Sequence, residues 1–281
     1  MTPNIPKQAS RHPTDASPLI RSFLIPIAAA LAAALVVIVL LAAVRPRSPK
    51  APLAAPKVLM IGDSLSVGKF GEVFRDHLVG VYGESNVAVY ASCGSSPENW
   101  LRSEPTFYTR CGYREQTPRQ NRLVDFVRGH RPGPVATPKL EDLITRYRPS
   151  MLIVQLGTNW MDRVALGNPV KSAEIPPFLD QFLVAACGSS GTSRRVIWIL
   201  PPDSSHFSAR VQRTVESVIR SGARKYPLVY LIPSREMTHY VPGKTGSDGV
   251  HYNAQASTEW AESAWTRFRR KYGEAGMGLA Y

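Results

Sequence analysis

Residues 57–68 read K-V-L-M-I-G-D-S-L-S-V-G, an apolar run that stops at Gly62, Asp63 and Ser64. Those three residue types are common turn formers. A strand end is also a rigid arm, and a serine held at its tip could react. A serine hydroxyl is a weak nucleophile until a base takes its proton. Imidazole suits that task because it titrates near neutrality. A carboxylate then fixes the ring tautomer and stabilises the imidazolium. The chain has six histidines, and His251 follows a carboxylate by three residues in a Gly-containing turn, S-D-G-V-H-Y-N, residues 247–253. Asp248 could therefore reach one ring nitrogen while the other faces Ser64. Acyl transfer also needs donors for the developing oxyanion. The backbone N–H groups of Ser64 and Gly94 are candidates, as is the side-chain amide of Asn159 in L-G-T-N-W. Glycine at 94 lets the backbone approach a substrate with no Cβ in the way. Each piece alone also reads as an ordinary turn or a surface histidine, so the case rests on order and placement.

The elements that would gather these residues are visible as five short apolar runs. They are V-L-M-I before Gly62, N-V-A-V-Y-A before Ser92, M-L-I-V-Q-L before Gly157, V-I-W-I-L before Pro201 and L-V-Y-L-I before Pro233. Continuous runs closed by turn residues suit a parallel sheet covered on both faces. Helical patterns lie between them. Residues 208–225 place Val211, Val215, Val218 and Ile219 on one face. Pro138 ahead of Glu141 and Asp142 marks a helix start. Asn253 can cap a last helix with Trp260, Ala264 and Phe268 on one stripe. Strands alternating with helices predict a doubly wound α/β domain whose ligand site lies at the C-terminal strand ends. Ser64, Cys93-Gly94-Ser95 and Gly157-Thr158-Asn159 each follow a strand, so all fall on that edge.

Together these residues resemble the SGNH, or GDSL, hydrolase family, over residues 57–281. I-G-D-S-L-S matches the first block, which implies Ser64 as nucleophile. Gly94 in S-C-G-S-S matches the second block by position, and Asn159 in L-G-T-N-W the third. D-G-V-H matches the last, which implies Asp248 as the acid and His251 as the base. The resemblance implies a flavodoxin-like three-layer α/β/α sandwich, here with a five-stranded parallel sheet. It also implies an oxyanion hole from Ser64, Gly94 and Asn159, and chemistry that needs no metal and no organic cofactor. The chain departs from the family at Trp160, where an acidic residue often stands, and in the long polar segment 95–131. There is no G-x-S-x-G, so the α/β-hydrolase elbow is not the pattern.

The formal net charge is +13 over 281 residues. Residues 1–50 hold six Lys/Arg and one Asp, a net +5, which leaves +8 for the body. A basic surface suits nucleic acid, anionic lipid or an acidic polymer. No zinc-ligand spacing and no nucleic-acid motif is present, so nucleic acid is not an expected partner. Residues 1–22 are polar and expected to be a disordered tail. Residues 23–44 are almost wholly apolar and uncharged. About 20 such residues suffice to cross a bilayer, and a secretory signal core is shorter, about 7–15. An uncleaved transmembrane anchor is the expectation, with Ala42-Ala43 leaving cleavage open. Lys7, Arg11 and Arg21 precede the run and Arg45, Arg47 and Lys50 come after it, so positive charge does not orient it. A single span near the N-terminus serves to export the rest of the chain, which places the body in the periplasm or outside the cell. Residues 45–56 carry four prolines and read as an extended linker. Cys93 and Cys111 could form a disulfide, or could stay thiols like Cys187; spacing leaves both open.

The chain therefore reads as a membrane-anchored serine esterase acting on an ester, with O-acetyl groups on a cell-wall or exported glycan as the implied substrate. The same triad could serve an O-acyltransferase, and the domain could be a non-catalytic subunit of a membrane complex. His206, Trp100, Trp160, Arg102 and Arg114 could touch substrate, against a plain reading of packing and solvated charge.

Overall fold

The computed structural model describes residues 57–125, 132–167, 172–188 and 194–276. The expected tail 1–22, anchor 23–44 and linker 45–56 lie outside the described residues. Among those described, no helix is long and apolar enough to cross a membrane.

The chain begins with β1 (Val58–Gly62), a one-turn helix α1 (Ser64–Val67), α2 (Lys69–Tyr82) and β2 (Val87–Ser92). The short strands β3 (Tyr108–Thr109) and β6 (Val135–Ala136) flank a hairpin, β4 (Gly112–Thr117) and β5 (Gln120–Asp125). Then come α3 (Leu140–Tyr147), β7 (Met151–Gln155), α4 (Trp160–Ala165), α5 (Ile175–Cys187) and β8 (Arg195–Ile199). The last elements are α6 (Ala209–Ala223), β9 (Val229–Ile232) and α7 (Ala254–Gly276). β1 pairs in parallel with β2 on one side and β7 on the other, and β8 and β9 continue from β7. The parallel strands therefore run β2-β1-β7-β8-β9, the doubly wound order with its switch point beside β1.

These five strands coincide with the five apolar runs, but the sheet is larger than the expected five. The β4–β5 hairpin adds antiparallel to the free edge of β2, making seven strands. Its residues G-Y-R-E-Q-T and Q-N-R-L-V-D carry no continuous apolar run because β5 faces solvent almost throughout. A one-sided edge strand has no need of one.

The two faces of the sheet follow the strand period of two. Leu59, Ile61, Ala88, Tyr90, Leu152, Val154, Val196 and Trp198 point to one side, where α3, α5 and α6 cover them. Val58, Met60, Val87, Val89, Met151, Ile153, Ile197 and Ile199 point to the other, under α2 and α7. There Phe70 stacks on Trp260 with ring centroids 3.7 Å apart. Asn253 caps α7 through Ala256 N–H at 3.0 Å, and Trp260, Ala264 and Phe268 are buried along it. The chain from Ala54 to Tyr281 forms a compact unit by itself. Trp100 and Trp160 belong to that core, fully buried, and offer no platform to a sugar.

Cys93 and Cys111 are joined in a disulfide that closes an 18-residue separation, and Cys187 is a buried thiol at the end of α5. A cross-link of that loop length removes conformational freedom chiefly from the unfolded chain. Replacing both residues, Cys93→Ser with Cys111→Ser, is expected to lower unfolding free energy by about 3 kcal/mol. Urea denaturation checks this, and an unchanged midpoint would mean the loop is equally restrained without the bond.

Candidate active site

β1 ends in a sharp reversal. A Cβ at Gly62 would lie 2.3 Å from Ser66 Oγ, so only glycine fits where the chain doubles back. Asp63 N–H extends the sheet ladder by donating to Gln155 O at 3.1 Å. Asp63 Oδ1 accepts from Leu65 N–H at 3.0 Å and so caps α1. Ser66 Oγ donates to Gln155 Oε1 at 2.7 Å, tying the same turn to β7. Ser64 is the first residue of α1, half-buried, and its N–H has no partner among the described residues. The far end of α1 is held by Arg114 of β4. Its Nε and Nη2 donate to Val67 O at 3.0 and 2.7 Å, and Nη2 also reaches Gly68 O at 3.3 Å. Burial lowers the pKa of this guanidinium below its ordinary value.

The second arm is the turn before α7. Asp248 Oδ1 accepts from Val250 N–H at 2.9 Å and from His251 N–H at 2.7 Å. Its Oδ2 meets His251 Nδ1 at 2.6 Å, and His251 Nε2 meets Ser64 Oγ at 2.9 Å. Nδ1–H donating to the carboxylate leaves Nε2 as the acceptor for the serine proton. Partial burial pulls the Asp248 carboxyl upward. The His251 backbone, the His251 ring and the Val250 N–H outweigh that and hold it down at about 2, so it is ionised at neutral pH. The turn is anchored to the loop after β8: Gly249 O accepts from Ser204 Oγ at 2.5 Å and Ser205 N–H at 3.0 Å. Tyr240 OH receives Gly249 N–H at 3.0 Å, and Tyr252 OH donates to Asp203 O at 2.7 Å.

The third arm supplies donors. Gly94 sits at φ +80°, in the left-handed region that favours glycine. Its N–H has no partner among the described residues. A Cβ there would touch Phe107 Cζ at 3.6 Å and Cys111 Sγ at 3.9 Å, so this loop lies against the disulfide and an aromatic ring. Asn159 Nδ2 donates one hydrogen to Ser95 O at 2.9 Å, which fixes the amide and leaves its second N–H available. Trp160 buries its ring and donates Nε1–H to Glu98 Oε2 at 2.8 Å. Glu98 is paired in turn with Arg163.

The structure joins Ser64, His251 and Asp248 in one hydrogen-bonded chain and ties Gly94 and Asn159 together through Ser95. It does not bring the other candidates to chemistry. Arg102 pairs with Asp142 at the surface, Arg114 is a buried clamp, and His206 is exposed beside Gly249. Sequence reasoning missed the supporting role of Asp203, Ser204 and Tyr240. The signal was present in P-P-D-S-S-H, polar residues at the C-terminal end of β8, on the active edge. Among the described residues no cluster of His, Cys, Asp and Glu is arranged to hold a metal.

No protein-family model and no curated protein matches the chain. Its fold is similar to several solved structures at low sequence identity. One is TesA, at 15% identity and TM-score 0.49, covering 76% of this chain and 98% of that one. Another is a catalytic mutant of Axe2, an acetylxylan esterase from Geobacillus stearothermophilus, at 13% identity and TM-score 0.48, covering 79% and 97%. A third is a carbohydrate esterase family 3 protein from Talaromyces cellulolyticus, at 13% identity and TM-score 0.47, covering 77% and 97%.

One buried group beside the nucleophile carries a pH signature. Asp63 is fully buried, and burial raises its carboxyl from 3.8 to about 6 against the opposing pull of the Leu65 N–H. Its Oδ2 has no hydrogen-bond partner among the described residues. The folded chain holds this proton more tightly than the unfolded chain does. Stability therefore falls as pH rises from about 4 to 6, by about 3 kcal/mol in all, and is level above that. Asp63→Asn keeps an acceptor for Leu65 N–H but cannot ionise. Its stability relative to the parent should climb through that window and plateau at about 2–3 kcal/mol. Urea unfolding at a series of pH values reads this directly; a difference independent of pH would show that Asp63 does not titrate there.

Proposed function

We propose that the chain is a membrane-anchored serine esterase of the SGNH type, with its catalytic body outside the cytoplasm. The observation that carries the reading is the continuous chain Ser64 Oγ–His251 Nε2 at 2.9 Å and His251 Nδ1–Asp248 Oδ2 at 2.6 Å. Ser64 Oγ attacks the ester carbonyl while His251 Nε2 takes its proton. The imidazolium is stabilised by Asp248. The tetrahedral oxyanion is met by the N–H groups of Ser64 and Gly94 and the free amide hydrogen of Asn159. Collapse expels the alcohol, which receives the proton from His251. A water molecule, deprotonated by His251, then attacks the acyl carbonyl and frees Ser64 as the carboxylic acid leaves.

The substrate class we propose is a short acyl ester, such as O-acetyl, on a cell-wall or exported glycan. Two features support it. The His251 and Asp248 side chains are 49% and 53% exposed, so the nucleophile opens onto a surface that can receive an ester projecting from a polymer. The matched sequence blocks point the same way through the family resemblance. The intact triad favours a working hydrolase over a non-catalytic subunit.

Hydrolysis of p-nitrophenyl esters from acetate to long acyl chains tests the proposal. The acetate ester is expected to be preferred, and Ser64→Ala should lose at least roughly a thousandfold in kcat. Asn159→Ala should lose roughly 100- to 1,000-fold in kcat with little change in KM. Equal turnover in the parent and Ser64→Ala would remove Ser64 as nucleophile.

A further inference from the structure

We propose that the pole of the body opposite the active site is a docking surface for anionic phospholipid headgroups. In a parallel sheet all strands start at one edge and finish at the other. Ser64, Gly94 and Asn159 follow strand ends, whereas Lys57 precedes β1, about 16 Å away along the strand. At that starting edge lies a cavity of about 490 Å³ lined by Lys57, Asn86, Glu115, Thr117, Arg119 and Arg146 among others. Arg119 comes from the β4–β5 turn, which reaches this edge because β4 runs antiparallel to β2. Arg146 comes from the last turn of α3.

Lys57, Arg119 and Arg146 are exposed and form no ion pair among the described residues. The single carboxylate of the lining, Glu115, is engaged by Tyr90 OH at 3.2 Å and Tyr113 OH at 3.4 Å. Arg148, directly after α3, and Arg224, directly after α6, add exposed cations at the same edge. Ammonium and guanidinium groups flanked by amide and hydroxyl donors fit a phosphate.

The chain outside the described residues says which phosphate. It leaves from this pole at Lys57, and only 12 residues separate Lys57 from the 22-residue apolar run 23–44. Those residues can span at most about 45 Å. The inference rests on the proposed membrane anchor, which would keep this pole within reach of the bilayer. The anionic headgroups would then hold the basic pole down and turn the active edge away from the membrane.

The test uses the body from Ala54 onward, a compact unit by itself, sedimented with phosphatidylcholine vesicles with and without phosphatidylglycerol. Binding is expected only where phosphatidylglycerol is present, and it should fall as salt rises. The double substitution Arg119→Ala with Arg146→Ala should weaken it roughly thirtyfold with no change in melting temperature. Equal binding to both vesicles, or undiminished binding by the double variant, overturns the proposal. So does calorimetric binding of inorganic phosphate without vesicle binding, which would make the cavity a free-anion site. Retention on duplex DNA without vesicle binding overturns it as well. The anchor is checked separately: the full chain should leave membranes only with detergent. Release by salt alone would remove the anchor and leave the vesicle result standing.

Discussion

The reversal at the end of β1 is the constraint on which the site depends. β1 is buried on both faces and paired in parallel on both sides. Because both faces are apolar, alternation alone does not forbid a slip of register. What pins it is polar: Asp63 N–H on Gln155 O, and Ser66 Oγ on Gln155 Oε1. Gly62 permits the close approach that makes both bonds possible. Ser64 is thereby fixed at the C-terminal end of β1, at the centre of the sheet edge.

Holding that turn in the interior has a cost, carried by polar groups out of water. Asp63 is a buried carboxyl with one oxygen unpartnered among the described residues. Arg114 is a buried guanidinium whose three nitrogens each donate to an oxygen, on Val67, Gly68 or Gln116. Arg114 sits on the edge hairpin, only three residues after Cys111. One short stretch thus clamps α1 through Arg114 and holds the Gly94 loop through the disulfide. The hairpin is therefore a brace between Ser64 and the Gly94 loop, built from a segment with no apolar signature.

The Asp248–His251 turn is built differently. It lies in a connecting segment and is exposed, with Asp248 using one oxygen on backbone N–H groups and the other on the His251 ring. A carboxylate so fixed can orient the imidazole without a buried pocket. Its position relative to Ser64 is set through Gly249, held by Ser204 of the loop after β8 and by Tyr240 of the segment after β9. Strand β8 thus contributes no residue to the Ser64–His251–Asp248 chain, yet the loop it leads into helps set the distance between His251 and Ser64.

The sequence by itself determined the five parallel strands, since each is a continuous apolar run that a doubly covered strand requires. It also marked Ser64, Gly94 and Asn159, because turns at successive strand ends must share an edge, and Asp248 and His251 by their three-residue spacing in a Gly-containing turn. Tertiary structure alone decided the rest. The β4–β5 hairpin was illegible because a one-sided edge strand needs no hydrophobic run. Arg114 and Glu98 were illegible as supports because their partners, backbone carbonyls and a tryptophan N–H, lie far away in the chain. Which of Trp100 and Trp160 would face a substrate was equally undecidable locally; both rings are fully buried. Local pattern records what a residue's own element must bury, and long-range hydrogen bonds leave no periodic trace in the sequence.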